Sequence, residues 1–381
     1  KRHRMKPKLL LAVASPLTID AFLITHLKYL SARFDITVMF PNLNNEWQAF
    51  IEKHPELSTL GFVNLPILRK PSLFSDLACL LSMVRLVREL SPQVMLTVTP
   101  KAGLLGALSA WLNRIPVRVH IFTGQVWATR AGLVRVALKA LDRLIAYLCT
   151  APLADSQSQI DFLESERIAP KGRIRCIHQG SISGVDSRRF SPAAVNLLPV
   201  RQKHDVPQGD ILFVFVGRLT RDKGIGELLQ AFQQVNKQFV TCSLLVVGPD
   251  EENIEQSVVQ HPKIRFVGKT SQPEAYMAAA DVFVLPSYRE GFGTVVIEAA
   301  ACGTPTVATN IYGLSDAVVD GETGLLVPVR DQNKLAEALL FLATNAEKRT
   351  LMGEAARQRA LVQFSQHAVS TFLVNFLVAQ P

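Results

Sequence analysis

The sequence predicts an α/β protein made of two doubly wound, Rossmann-like domains that face a central cleft. Three observations carry this: strand-length apolar runs alternate with amphipathic segments, the alternation lapses once near the middle, and it then restarts. At 381 residues, each half is long enough to bury its own core.

KLLLAVAS (8–15) reads as a buried parallel strand and DAFLITHLKYLSARF as the helix after it. DITVMF and GFVNLP are the next strands, LFSDLACLLSMVRLVREL is a long helix, and QVMLTVT, RVHIF, PLADS and RIRCIH continue the series. These elements define an N-terminal domain at residues 1–190. Residues 191–210 (SPAAVNLLPVRQKHDVPQGD) hold three prolines and little periodicity, which predicts an interdomain linker. ILFVFVG, SLLVVG, KIRFVG, DVFVLP and TPTVAT then build a second domain at 211–364. The last helical segment, about 365–381, is expected to pack back on the first domain.

Hydrophobic content of 48% with 19% charged residues describes a globular enzyme. No run reaches the roughly 18 apolar residues of a membrane span. The apolar run from Met5 to Ser15 meets Pro16 too early for a secretory signal. Five cysteines without C-x-x-C spacing suit reduced core thiols and a cytoplasmic setting. Residues 1–190 carry 25 Lys+Arg against 13 Asp+Glu, and the remainder 16 against 19. The basic half therefore suits an anionic membrane surface or a phosphorylated acceptor. Nucleic acid is not expected as a partner, because no zinc-finger spacing, RNP-like aromatic pattern or basic stripe accompanies the charge. Residues 130–148 place Arg135, Lys139 and Arg143 on one helical face. They suit either an interfacial helix or, the favoured reading, a surface helix packed on the sheet.

Ligands of such sheets bind beyond the strand C-termini. After ILFVFV come Gly217, Arg218 and Lys223, a pair of cations suited to a diphosphate, or else a solvated turn. After DVFVLPS comes Tyr288 to Glu298 (YREGFGTVVIE), where Gly291 and Gly293 flank Phe292 at a helix start. Peptide N–H groups there, including that of Thr294, suit an oxygen-rich anion, and Glu290 and Glu298 can each hold a sugar hydroxyl. In the first half, Lys101 follows a strand end and is the best candidate for an acceptor phosphate, against the alternative of a plain exposed lysine. Thr123, Gly124 and Gln125 are expected nearby. No metal-binding spacing, dinucleotide fingerprint or G-x-S-x-G elbow occurs.

GRLTRDKG, PSYREGFGTVVIEAAACGTPTVAT and GLSDAVVDGETGLLV, in that order across 211–330, resemble the donor-binding half of family 4 glycosyltransferases. The resemblance implies the GT-B fold and retaining, metal-independent transfer from a nucleotide sugar, with a UDP-sugar expected. It implies that Arg218 and Lys223 bind the diphosphate, Glu290 the donor sugar and Glu298 the ribose. Phe292, Gly293 and Thr294 would then face the sugar and β-phosphate. The first half is similar, more loosely, to bacterial members that build capsule, O-antigen or other lipid-linked glycans, implying a polyprenyl-diphosphate-linked or oligosaccharide acceptor. Two departures stand out. Ser15-Pro16-Leu17-Thr18 replaces the glycine-rich loop after the first strand, with Ser15 and Thr18 expected on the acceptor side, and Thr123-Gly124 replaces a His-Gly. His120, three residues earlier, is then either an acceptor-site residue or a core histidine. Rival readings are a GT-B epimerase, a synthase with a soluble acceptor, or a protein that binds a nucleotide sugar or nucleic acid without turnover.

Overall fold

The computed structural model describes residues 6–42, 45–67 and 72–380; Met5, where the first apolar run begins, lies outside them. The chain forms two compact units. One runs to Ser183 and resumes at Gln366, and the other is Gly184–Ser365.

The first unit holds a seven-stranded parallel sheet. Its strands are β1 (Lys8–Ala12), β2 (Asp35–Phe40), β3 (Gly61–Asn64), β4 (Val94–Thr97), β5 (Val117–Phe122), β6 (Leu153–Ala154) and β7 (Arg175–Cys176). They lie in the order β3-β2-β1-β4-β5-β6-β7. After its exposed first residue, Lys8, β1 is apolar because helices cover both faces: Leu9 and Leu11 pack into one core cluster, Leu10 and Ala12 into another. PLADS and RIRCIH supply only two paired residues each, since their remaining apolar residues belong to loops.

The second unit holds a six-stranded parallel sheet. β8 (Ile211–Val216), β9 (Cys242–Val247), β10 (Ile264–Gly268), β11 (Val282–Leu285), β12 (Thr306–Thr309) and β13 (Gly324–Val327) lie in the order β10-β9-β8-β11-β12-β13. β13 adds a strand to the five expected; four residues are too few to show a period. The 191–210 stretch is not an open linker. Its Pro192–Leu197 and Val200–Lys203 turns are helical, and Val200 and Val206 are buried with Leu212 and Tyr276 in a core cluster of this unit. Three prolines mask that burial pattern.

The Gln366–Val378 helix belongs to the first unit and packs on the Ile24–Ser31 helix. Val369, Leu373 and Leu377 join Leu23 and Leu27 in one core. Polar groups fix the register: Thr25 Oγ1 donates to Gln366 Oε1 at 3.0 Å, and Ser370 Oγ lies 2.9 Å from the buried His26 Nδ1. Burial lowers the His26 pKa, so this contact is made with a neutral ring. Leu373 is fully buried, and Leu373→Ala is expected to cost about 2–5 kcal/mol of first-unit stability. Urea unfolding followed by tryptophan fluorescence reads this directly, since all three tryptophans (47, 111 and 127) lie in that unit.

Candidate active site

Each sheet reverses its strand order once, between β1 and β4 in the first unit and between β8 and β11 in the second. The loops leaving such a strand pair diverge to opposite faces and open a crevice. The predicted site residues fall largely at these two places.

In the second unit, Gly217 and Arg218 follow β8, and Lys223 ends a short 3-10 turn, Arg221–Lys223. Lys223 Nζ is ion-paired with Glu290 Oε1 from the loop after β11, and both side chains are largely buried. Ser287 Oγ donates to the same carboxylate oxygen at 2.8 Å. Further ties join these loops: Tyr288 N donates to Asp222 O at 2.8 Å, and Arg289 pairs with Asp222 at 3.0 Å. Arg218 is half exposed and pairs with Glu251 at 2.8 Å, a surface contact that an anion can displace at little cost. Gly293 caps the Thr294–Ala301 helix with φ +82°, and a Cβ there would collide with Leu314. Glycine is therefore required where the chain turns from Gly291 and the buried Phe292 into the helix.

Glu298 lies on that helix, apart from the lysine–glutamate pair. Burial pushes its carboxyl up to about 8, the nearby Arg189 opposes the rise, and Glu274 adds to it. Arg189 is itself bound to the buried Glu274 at 2.8 Å. Glu298 thus sits beside a compensated pair and holds a proton at neutral pH.

In the first unit, a cavity of about 450 Å³ lies at the crevice between β1 and β4. Ser15, Thr18, Lys101, His120, Thr123, Gly124 and Gln125, all anticipated as acceptor-side residues, line it together. Ala14 N donates to Thr99 Oγ1 at 3.1 Å and ties the two crevice loops together. Lys101 is not a plain exposed lysine: it is paired with Asp76 at 2.5 Å, so its charge is already met. His120 is buried, with Nδ1 2.9 Å from Thr97 Oγ1, and burial lowers its pKa to about 3. The ring at the cavity wall is therefore not a cation near pH 7. Gly103 makes room for it, since a Cβ there would collide with the imidazole.

Much of the remaining wall is apolar, with Leu104, Phe122, Val126, Leu138, Leu141 and Ile145. Asp142 stands among them and accepts a hydrogen bond from Trp127 Nε1 at 2.7 Å; burial raises its pKa to about 6 against that bond. Asp142 and Trp127 were not anticipated. Asp142 reads in sequence as one more charge on the Gly132–Leu148 helix, and only its place against Trp127 marks it as buried.

Among the described residues no group of three His, Cys, Asp or Glu side chains could hold a metal ion. None of the five cysteines is in a disulfide.

The model of the family described as glycosyl transferases group 1 matches residues 199–359. The capsular polysaccharide biosynthesis glycosyltransferase CapM of Staphylococcus aureus is 31% identical over 311 residues, covering 80% of this chain and 81% of CapM. The chain belongs to the group 1 glycosyltransferase family. A D-inositol 3-phosphate glycosyltransferase of Corynebacterium aurimucosum is 34% identical over 206 residues, about half of each protein. Among solved structures, Anabaena HepE in complex with UDP and glucose superposes with a TM-score of 0.79 at 19% identity, covering 98% of this chain and all of HepE. That likeness is one of fold, and the fold is GT-B.

In this glycosyltransferase the protonated Glu298 has a measurable consequence. An unfolded glutamate releases its proton near 4.5, whereas the folded one holds it to about 8. The folded state is therefore penalised progressively as pH rises above 4.5, and fully above 8. Glu298→Gln is expected to raise Tm by roughly 2–4 °C at pH 9 for each kcal/mol relieved. At pH 4.5 the gain should vanish, and calorimetry at the two pH values checks both.

Proposed function

We propose that this glycosyltransferase transfers a sugar, with retention and without a metal, from a UDP-sugar to a polyprenyl-diphosphate-linked glycan in surface polysaccharide assembly. The observation that carries the donor side is the Lys223–Glu290 pair at the β8/β11 crevice, held by Ser287 beside the helix start at Thr294. An arriving donor supplies each partner with a replacement. A phosphate oxygen takes the Lys223 ammonium, and a sugar hydroxyl donates to the freed Glu290 carboxylate. Charge on the diphosphate grows as the anomeric bond breaks. Lys223, Arg218 and the amides following Gly293 meet it where it develops. Glu290 orients the sugar, and Glu298 holds the ribose. The names of CapM and of the HepE complex support the capsule and UDP parts of this reading.

On the acceptor side, a crevice whose wall combines polar groups with a largely apolar lining suits an amphiphile better than a free sugar. The Gly132–Leu148 helix also leaves Leu133 87% and Tyr147 79% exposed, with Val134, Val136 and Leu144 exposed as well. Only part of its apolar surface therefore packs inward, and the exposed part suits the cytoplasmic face of an anionic membrane. No helix of the described residues is long and apolar enough to cross a bilayer, so the contact proposed is peripheral.

A UDP-release assay with a panel of UDP- and GDP-sugars, with and without a polyprenyl-diphosphate-linked sugar and with EDTA, tests the reading. Lys223→Ala and Glu290→Ala are each expected to lower turnover about 100-fold or more, the scale of losing one preorganised charge. Wild-type rates in both variants would overturn the donor assignment.

A further inference from the structure

A second concavity of the first unit, about 740 Å³, lies where the end of the Gly132–Leu148 helix meets the loop from Arg167 to Arg173. Arg143, Arg167, Lys171 and Arg173 surround it over a buried floor that includes Ala146 and Ile168. The carboxylate at its edge, Glu164, accepts a hydrogen bond from Gly172 N at 2.7 Å. The nearby Glu166 is taken by Arg135 and Lys139.

Two of the cations are oriented by uncharged groups. Arg143 Nε donates to Arg167 O at 2.8 Å and its Nη2 to Glu166 O at 3.2 Å, while Arg173 Nη2 donates to Cys149 O at 2.5 Å. Carbonyl oxygens fix a guanidinium without neutralising it. Among the described residues, none of the four cations is in an ion pair, in contrast to Lys101, Arg135, Lys139, Arg189, Arg218 and Lys223. Gathering uncompensated like charges in one hollow is unfavourable until an anion enters. Planar guanidinium forks beside a lysine match phosphate oxygens in geometry and charge.

We propose that this groove is a phosphate-binding site, for a phosphate or diphosphate group carried either by an anionic lipid head group or by a soluble compound. It does not depend on the donor assignment, whose residues lie in the other unit.

The test is binding of inorganic pyrophosphate by calorimetry, and of phosphatidylglycerol and phosphatidylcholine vesicles by sedimentation. Three full-length proteins are compared: wild type, Arg167→Asn/Lys171→Gln, and Arg85→Gln/Arg88→Gln. Arg167 has φ +57°, which asparagine tolerates, so the groove variant is expected to fold. The control removes the same charge from an exposed helix. Any pyrophosphate bound in the second unit is common to all three, so the difference between them reads the groove. A loss of one pyrophosphate equivalent or a tenfold weaker Kd in the groove variant, with the control within twofold, supports a soluble phosphate ligand. Phosphatidylglycerol binding lost in the groove variant alone, without a pyrophosphate effect, supports a lipid head group. Equal losses in both variants, no loss in either, or no binding of either probe by the wild type would overturn the site.

Discussion

Parallel strands buried on both faces leave a chain one place to do polar chemistry, the loops at the strand C-terminal edge. In this protein that constraint acts twice, and each time the reversal of strand order separates two neighbouring loops. The interiors of both sheets are filled by residues such as Leu9, Leu10, Phe213 and Val284, which are almost wholly inaccessible. Charge is excluded there by desolvation. The polar features of the proposed reaction are therefore carried by short loops and by the helix starts that follow them, whose positions are set by strands.

The β8/β11 crevice shows how tightly such loops can be wired. Lys223 and Glu290 meet, Ser287 fixes the carboxylate, and Asp222 links the two loops through Tyr288 and Arg289. In water such pairs contribute little, but in a largely buried crevice a charge left without its partner carries a desolvation cost. In the proposed reaction the same groups exchange one another for a nucleotide sugar with few new desolvation costs. Glu298 follows a different logic. It is desolvated, lies beside Glu274 and Arg189, and rests as the neutral acid.

Most of this architecture was legible in the sequence, because long apolar runs and glycine-marked loops are local signals. Arg218, Lys223, Glu290 and Gly293 sit in contiguous stretches whose residue types state their chemistry. Pairings across the chain left no such trace. Nothing near Lys101 announces Asp76, and nothing near Asp142 announces Trp127 or a raised pKa. The ambiguity of His120 was real in sequence terms, since a strand histidine can face either way. The structure packs the ring against Gly103 and Thr97, buried and neutral, at the cavity wall. The 191–210 stretch misled because prolines signal irregular backbone, and irregular backbone can still be buried.

The return of the chain at Gln366 bears on how the protein is made. Val185 N bonds to Phe364 O at 2.7 Å, so the second unit begins and ends at one point and is in effect an insertion within the first. During synthesis the surface around Leu23 and Leu27 must wait for its cover until everything from Gly184 to Ser365 has left the ribosome. At about 5–20 residues per second that delay is roughly 10–40 s. The nascent N-terminal unit therefore spends that interval with a helix-sized apolar gap over Leu23 and Leu27.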